Sequence, residues 1–229
     1  MIKKVLIANR GEIALRVMRS CREMGLLTVA VFSDADRTSH HVAYADEAYP
    51  IGSAVAKESY LNIEKVIATA KRCGADAIHP GYGFLSENSE FARRCKEEGI
   101  IFIGPAAETM EAMGDKIAAR KRMIAAGVPV VPGTEQPLQS AEEAVRICNE
   151  IGYPVMLKAS MGGGGKGMRL IHNESEVVEA YNTARSESMS SFGDDTVYLE
   201  KFVEEPHHIE FQILGDNHGN VIHLFDLEC

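Results

Sequence analysis

The sequence predicts an α/β protein: a Rossmann-like parallel-sheet domain over residues 1–115, then a second domain over 116–229 that carries a small α+β lid at about 130–203. Three observations carry this prediction. Short apolar runs alternate with amphipathic stretches of helical period through the first 110 or so residues, the pattern of a parallel sheet covered on both faces. Gly104-Pro105 and the proline-bearing link VPVVPG at 128–133 then break that alternation. Finally, two apolar runs, 154–157 and 168–171, flank the glycines at 162–165 and Lys166-Gly167, and read as two strands joined by a loop.

Taken in order, Val5 to Ala8 reads as a buried strand. The helix after it places Ile13, Val17, Cys21 and Met24 on one face and stops at Gly25. Thr28 to Phe32 is a second strand. A helix from about Leu61 to Cys73, with Ile63, Val66, Ile67 and Ala70 inward, leads to a third strand at Ala75 to His79. Another helix, capped by Ser86, precedes a fourth strand at Ile100 to Ile103. Asp115 is placed to cap a helix from Lys116 to about Ala126 that ends at Gly127. Ser140 with Glu143, and Asn173 with Glu176, have capping-box spacing for two further helices. Their inner faces are Ala144, Val145, Ile147, Cys148 and Ile151, and Val177, Val178, Tyr181 and Ala184. Val197 to Val203 is a strand, and IEFQIL and NVIHLF form an antiparallel pair. A pair of strands without further partners leaves open edges, so the chain is expected to be part of a longer protein.

Composition narrows the function. Acidic residues outnumber basic ones, 33 against 24, which excludes a broad nucleic-acid footprint and an anionic membrane surface while leaving room for local phosphate pockets. The cysteines at 21, 73, 95, 148 and 229 are scattered singly. That spacing argues against a zinc site and a disulfide scaffold and is expected of a reducing, cytoplasmic setting. The opening MIKKVLIANRGEIA has too short an apolar run for a signal peptide, and no run of transmembrane length follows.

The chemistry concentrates in loops. Glycines lack Cβ, so the run at 162–165 can lay backbone N–H groups against an oxyanion, with Lys158 and Lys166 adding charge on either side. The other reading of the same run is a slack surface loop with two solvated lysines. A Walker A loop is excluded because Lys166 is followed by Gly167 rather than Ser or Thr. Lys116 at a helix start runs against the helix dipole, which favours a nearby anion, though a solvated lysine fits that clue equally. In the parallel-sheet domain, ligands belong beyond the carboxyl ends of the strands, here Asn9-Arg10-Gly11-Glu12, Asp34 and the HPGYGFLSEN loop at 79–88. The first loop lacks G-x-G-x-x-G, so an NAD site is not expected and Asp34 reads as a turn residue.

With IANRGEIALR, AIHPGYGFLSEN, FIGP, MGDK, YPVMLKAS, GGGGKGMR and VYLEKF in that order, the chain resembles the biotin carboxylase family over essentially its whole length. The resemblance implies an ATP-grasp enzyme that uses ATP and Mg2+ to phosphorylate bicarbonate and then carboxylates biotin on a carrier protein. By matching motifs, Lys116 and Lys158 resemble the ATP phosphate-contacting lysines, and Gly164 and Gly165 lie in the lid over the phosphates. Glu200, Lys201, Phe202 and Val203 match the strand that holds adenine, and His208 matches a histidine near the nucleotide. Tyr82 and Gly83 resemble the loop on the biotin side. The edge of VYLEKFV would read the base partly through its backbone. As partners, the resemblance implies a biotinylated carrier protein or domain, a carboxyltransferase subunit or domain, and a homodimer, to which Arg16 or Arg19 could contribute unless they are simply solvated.

The family's magnesium-binding carboxylates and its bicarbonate- and biotin-side basic residues lie beyond Cys229, so no catalytic residue and no metal ligand is assigned within this chain. It is accordingly expected to be inactive by itself. Another ATP-grasp ligase, of carbamoyl-phosphate or purine-biosynthesis type, shares the lysines and glycine lid, but the NRGEIA and HPGYGFLSEN loops weigh against it. A non-catalytic interaction module is the remaining alternative.

Overall fold

The structure is a computed structural model that describes residues 2–114, 116–160, 167–216 and 218–228, the side chains of residues 116, 117 and 192 excepted. The chain divides into two compact units, Met1–Ala119 and Arg120–Cys229. Asp115, expected as a helix cap, and the glycine run lie outside the described residues.

The first unit contains β1 (Lys4–Ile7), α1 (Gly11–Glu23), β2 (Leu27–Ser33), α2 (His40–Tyr44), β3 (Glu47–Gly52), α3 (Ile63–Cys73), β4 (Ala77–His79), α4 (Ser89–Glu97), β5 (Ile101–Phe102) and α5 (Ala107–Gly114). All five strands are parallel in the order β3-β2-β1-β4-β5. Alternate residues of β1 feed two cores, because successive side chains leave opposite faces of a strand. Val5 and Ile7 pack with Ala14, Val17, Met18 and Cys21 of α1. Leu6 packs with Val66, Ile67 and Ala70 of α3 and Phe91 of α4 on the other side.

Several expectations need correcting. The strand β3, Glu47–Gly52, is not announced by the sequence pattern. Pro50 within it reads as a breaker, but β3 is an edge strand, where a missing N–H costs no ladder bond. Helices α2 and α5 are likewise additions to the expected elements. The cap of α4 is Asn88, whose side chain accepts from the Phe91 N–H, not Ser86. Met24 is 73% exposed, because α1 buries Ala14 and Met18 beside Val17 and Cys21 and turns its C-terminal end outward.

The second unit begins within α6 (Lys116–Ala125) and continues through α7 (Ala141–Ile151), β6 (Val155–Ala159), β7 (Met168–Ile171), α8 (Val177–Phe192), β8 (Val197–Lys201), β9 (Ile209–Gly215) and β10 (Val221–Glu228). Strands β7-β6-β8 form an antiparallel sheet, and β9 and β10 form a separate hairpin. Period 2 again sorts the residues: Val155, Leu157, Ile171, Val197 and Leu199 pack against Ala144 and Cys148 of α7 and Val177, Tyr181 and Ala184 of α8. Val178, expected inward, is exposed. Ser140 caps α7 as expected, accepting from the Glu143 N–H at 3.2 Å, while the Glu143 carboxylate reaches back to the Gln139 N–H at 2.7 Å.

Candidate functional site

Two places gather chemistry-bearing residues, one in each unit. In the second unit it is the face of the β7-β6-β8 sheet opposite α7 and α8. The register pairs Met156 with Glu200 and Lys158 with Tyr198, so these residues share that face, and Lys158 and Glu200 are diagonal neighbours. The Lys158 ammonium donates to a Glu200 carboxylate oxygen at 2.5 Å, with both side chains partly exposed. Beside them Met168 and Leu170 of β7 present partly exposed apolar surface. Tyr198 is 3% exposed, and burial pushes its phenol up to about 12. A cation beside an apolar shelf and a carboxylate is a surface that can take a flat, polyanionic ligand, the ammonium meeting negative charge and the shelf a ring.

The strand β8 is not a bare edge. Besides β6, the segment 132–138 runs along its other side: Lys201 N–H donates to Pro132 O at 2.7 Å, Thr134 N–H to Leu199 O at 2.9 Å, and Leu138 N–H to Val197 O at 3.0 Å. Gly133 permits this approach, because a Cβ there would collide with the Leu199 carbonyl. Backbone groups able to read a ring therefore belong to the stretch after β8, from Phe202, whose N–H reaches Pro154 O at 3.2 Å, to Val203. This replaces the expectation of an open edge along all of VYLEKFV.

The sequence-based candidates separate accordingly. Lys158 and Glu200 meet on one face. The Lys201 side chain turns away and donates to the carbonyls of Gly152 and Tyr153, at 2.9 and 2.8 Å, where α7 ends. His208 is exposed beside Glu210, its Nε2 lying 3.4 Å from the carboxylate. Lys116 is the first residue of α6, as expected, with its side chain outside the described residues. Gly164 and Gly165 are outside them entirely.

In the first unit the sheet order reverses direction between β1 and β4, the place where open α/β sheets bind ligands. The loop after β4 holds Tyr82, 62% exposed, and Gly83 at φ +66. Around it lies a network that the sequence did not disclose. Asp36 accepts from Ser33 Oγ at 2.7 Å and Tyr60 Oη at 2.8 Å. Burial works against that carboxylate, but the two hydrogen bonds and the neighbouring Arg10 hold its pKa below the usual range. The Tyr60 ring stacks on Phe84 at 4.9 Å, and the Arg10 guanidinium lies about 6 Å from both rings. Asp34, which reads as a turn residue from sequence, is exposed and paired with Arg37. The fully buried His41 accepts the Gly11 N–H at Nδ1 (3.4 Å) and donates from Nε2 to Val31 O (3.3 Å). Burial pushes its pKa down and keeps it neutral. Only side-chain direction in the fold brings residues 10, 36, 60 and 84 together, and no local spacing announces it.

Among the described residues no group of three or more His, Cys, Asp or Glu could hold a metal ion. No helix among them is long and apolar enough to cross a membrane. Cys21, Cys73, Cys95 and Cys148 are free and buried, and burial pushes the Cys95 and Cys148 thiols up to about 12 and about 11, so neither is a ready nucleophile.

Residues 1–110 match the family described as biotin carboxylase, N-terminal domain, and residues 115–229 match carbamoyl-phosphate synthase L chain, ATP binding domain. The chain is 55% identical to biotin carboxylase 2 of Bacillus subtilis and 55% identical to the biotin carboxylase of Halalkalibacterium halodurans, in each case over all 229 residues. It covers 52% and 51% of those proteins, and so spans about half the length of these curated relatives. Among solved structures, a biotin carboxylase from Campylobacter jejuni in a β-γ-ATP complex superimposes with a TM-score of 0.92 at 52% identity, covering 100% of this chain and 51% of the other. The biotin carboxylase domain dimer of Hydrogenobacter thermophilus 2-oxoglutarate carboxylase, with MgADP, ADP and bicarbonate, gives 0.88 at 54% identity, covering 100% and 50%.

Proposed function

This chain belongs to the biotin carboxylase family, and from that premise we propose that it is the nucleotide-binding N-terminal half of an ATP-dependent ligase that carboxylates biotin, using bicarbonate, on a carrier protein. The observation that carries the reading in this chain is the Lys158–Glu200 pair, partly exposed on the sheet face it shares with Met168 and Leu170. An ATP phosphate would compete with Glu200 for the Lys158 ammonium, a charge-assisted contact, while adenine lies toward Phe202 and Val203. Glu200 thus holds Lys158 in place until the nucleotide arrives. Lys116, Gly164 and Gly165 are assigned to the ATP phosphates, and His208 to the nucleotide, on the family resemblance alone. Lys201 supports the Phe202–Val203 stretch from behind, its side chain committed to the end of α7 and its N–H to Pro132 O.

Tyr82 and Gly83, at the crevice of the first unit, are assigned to the biotin side. When bound, magnesium would supply positive charge that neutralises the negative charge developing during phosphoryl transfer. The chemistry proposed for this chain is binding and orienting the nucleotide. A biotinylated carrier, a carboxyltransferase partner and a second copy of the protein are the proposed partners, and a cytoplasmic setting is the proposed location. The carbamoyl-phosphate synthase description of residues 115–229 reflects a shared phosphate-binding plan, whereas the family matched by residues 1–110 favours biotin as acceptor.

Calorimetric titration of the 229-residue chain with ATP and magnesium, alongside bicarbonate-dependent ATP turnover, tests this. Weak nucleotide binding and no turnover are expected. In the full-length protein, Lys158→Met should weaken ATP binding by at least about tenfold, a loss of roughly 1.4 kcal/mol. Turnover by the short chain would overturn its assignment as a half-site, and unchanged ATP affinity in Lys158→Met would remove Lys158 from the phosphate side.

A further inference from the structure

The loop that follows β4 is held by Asn9, a residue to which neither the family resemblance nor the sequence motifs assign a role. Asn9, two residues past the end of β1, is 4% exposed. Its amide nitrogen donates to Pro80 O at 2.8 Å and to Tyr82 O at 2.7 Å. Its Oδ1 accepts the Arg10 N–H at 2.9 Å. Two carbonyls facing one end of the amide fix which end carries the NH2 group, and both of its donors are used. The bonds bracket Gly81, whose φ is +67 and whose added Cβ would sit 2.7 Å from the Asn9 amide nitrogen. The Gly81 N–H in turn donates to His79 Nδ1 at 3.0 Å. Further along, Phe84 takes φ +40, unusual for a side-chain-bearing residue, and its ring is clamped by stacking on Tyr60. The segment is therefore held at Pro80, Gly81, Tyr82 and Phe84 while the Tyr82 side chain stays exposed.

A short loop whose backbone is this heavily determined and whose one large side chain faces solvent is built to present that side chain. It does so at the end of the sheet where ligands enter this fold. We propose that Asn9 is a positioning residue for the biotin side of the site. Its amide sets the conformation of the 80–84 loop and hence the place of Tyr82, without itself touching biotin. This rests on the functional reading above, in which that loop faces the acceptor. Replacing the amide by a carboxylate of the same shape removes both donors and sets negative oxygen against two carbonyls, so Asn9→Asp should displace the loop. Gly81→Ala should do the same through its strained φ and the contact with Asn9.

The test is steady-state kinetics of the full-length protein with free biotin as the probe. Bicarbonate-dependent ATP hydrolysis without biotin serves as the internal reference. Asn9→Asp and Gly81→Ala should each raise the KM for biotin about tenfold or more, with the KM for ATP and the biotin-independent hydrolysis changed less than about twofold. Tyr82→Ala, altering only an exposed side chain, should shift the same parameter and involves no folding risk. If Asn9→Asp does not fold, Gly81→Ala and Tyr82→Ala decide on the same readouts. An unchanged KM for biotin in the folded variants, or an equal rise in the KM for ATP, would overturn the positioning role. Failure of the unaltered full-length protein to carboxylate biotin at all would instead overturn the functional reading, and the acceptor role of the loop with it.

Discussion

At the crevice of the first unit, buried side chains hold the backbone: Asn9, His41 and Ser33 are buried and hydrogen-bonded, and Asn9 ties down the backbone of the exposed Tyr82. On the sheet face of the second unit that carries Lys158 the order is reversed. There Lys158 and Glu200 are themselves partly exposed, and strand register alone brings them together. The difference teaches where each site is vulnerable. A network of satisfied buried groups fails as a unit when one partner is lost, whereas a diagonal pair on a strand loses only itself. The hairpin β9–β10 extends the contrast within the second unit, because all of its described residues are exposed.

The largest effect that could break this comparison is a cavity beneath the first crevice. Phe91 is fully buried and meets the Phe102 ring edge-on at a centroid distance of 5.7 Å. Phe91→Ala should lower the unfolding free energy by about 3–5 kcal/mol, measured by urea denaturation, and should disorder the loop after β4 before it affects the Lys158–Glu200 face. Equal loss of order in both units would show that they do not respond separately.

The same buried network should make the first unit the acid-sensitive one. His41 and His79 both have pKa values pushed below the usual histidine value by burial, and both accept an N–H at Nδ1. In the unfolded chain each takes up a proton near pH 6.5. A depressed folded value means that the unfolded state binds more protons just below that pH, so stability is fully present above about 6.5 and falls as pH drops through the window below it. Each histidine contributes a slope of at most about 1.4 kcal/mol per pH unit. The five histidines of the second unit are exposed. Denaturation midpoints at pH 7.5 and 5.5 should therefore diverge for the first unit, and His41→Gln should flatten part of the difference. A first-unit midpoint that stays constant over this range would contradict the neutral, buried assignment.

How much of this was readable in advance follows from the range of each interaction. Helices with apolar stripes and Asn or Ser caps, such as α3 and α7, and strands with period-2 apolar residues, such as β6, are written within a few residues, and the sequence places them to within one or two positions. The pairing of Lys158 with Glu200 needed the register of β6 on β8. What the sequence hid was long-range or exceptional. Asn9 meets Pro80 and Tyr82 across more than 70 positions, β3 tolerates Pro50 because of its place in the sheet, and β8 is covered by residues 132–138 that look like a linker. The resemblance to a family proposes residues for the nucleotide, but does not single out the buried contacts that hold the other crevice in shape.

The smallest effect should come from the hairpin. Phe211 and Leu214 of β9 are 60% and 56% exposed, and Phe225 of β10 is 73% exposed at φ +66, where the register shifts between His223 and Asp226. A two-stranded ribbon with both faces in solvent contributes little to folding, so Leu214→Lys should change the unfolding free energy of this chain by less than about 0.5 kcal/mol. That is far below the cost expected for Phe91→Ala, although both remove apolar side chains. The apolar edge should matter instead for association, since open strands and exposed rings favour contact between copies. Sedimentation velocity of the variant should show less self-association at unchanged stability. A destabilisation above about 1 kcal/mol would mean that Leu214 is packed in solution, and that the contrast between a determined first crevice and a loosely held second region is drawn in the wrong place.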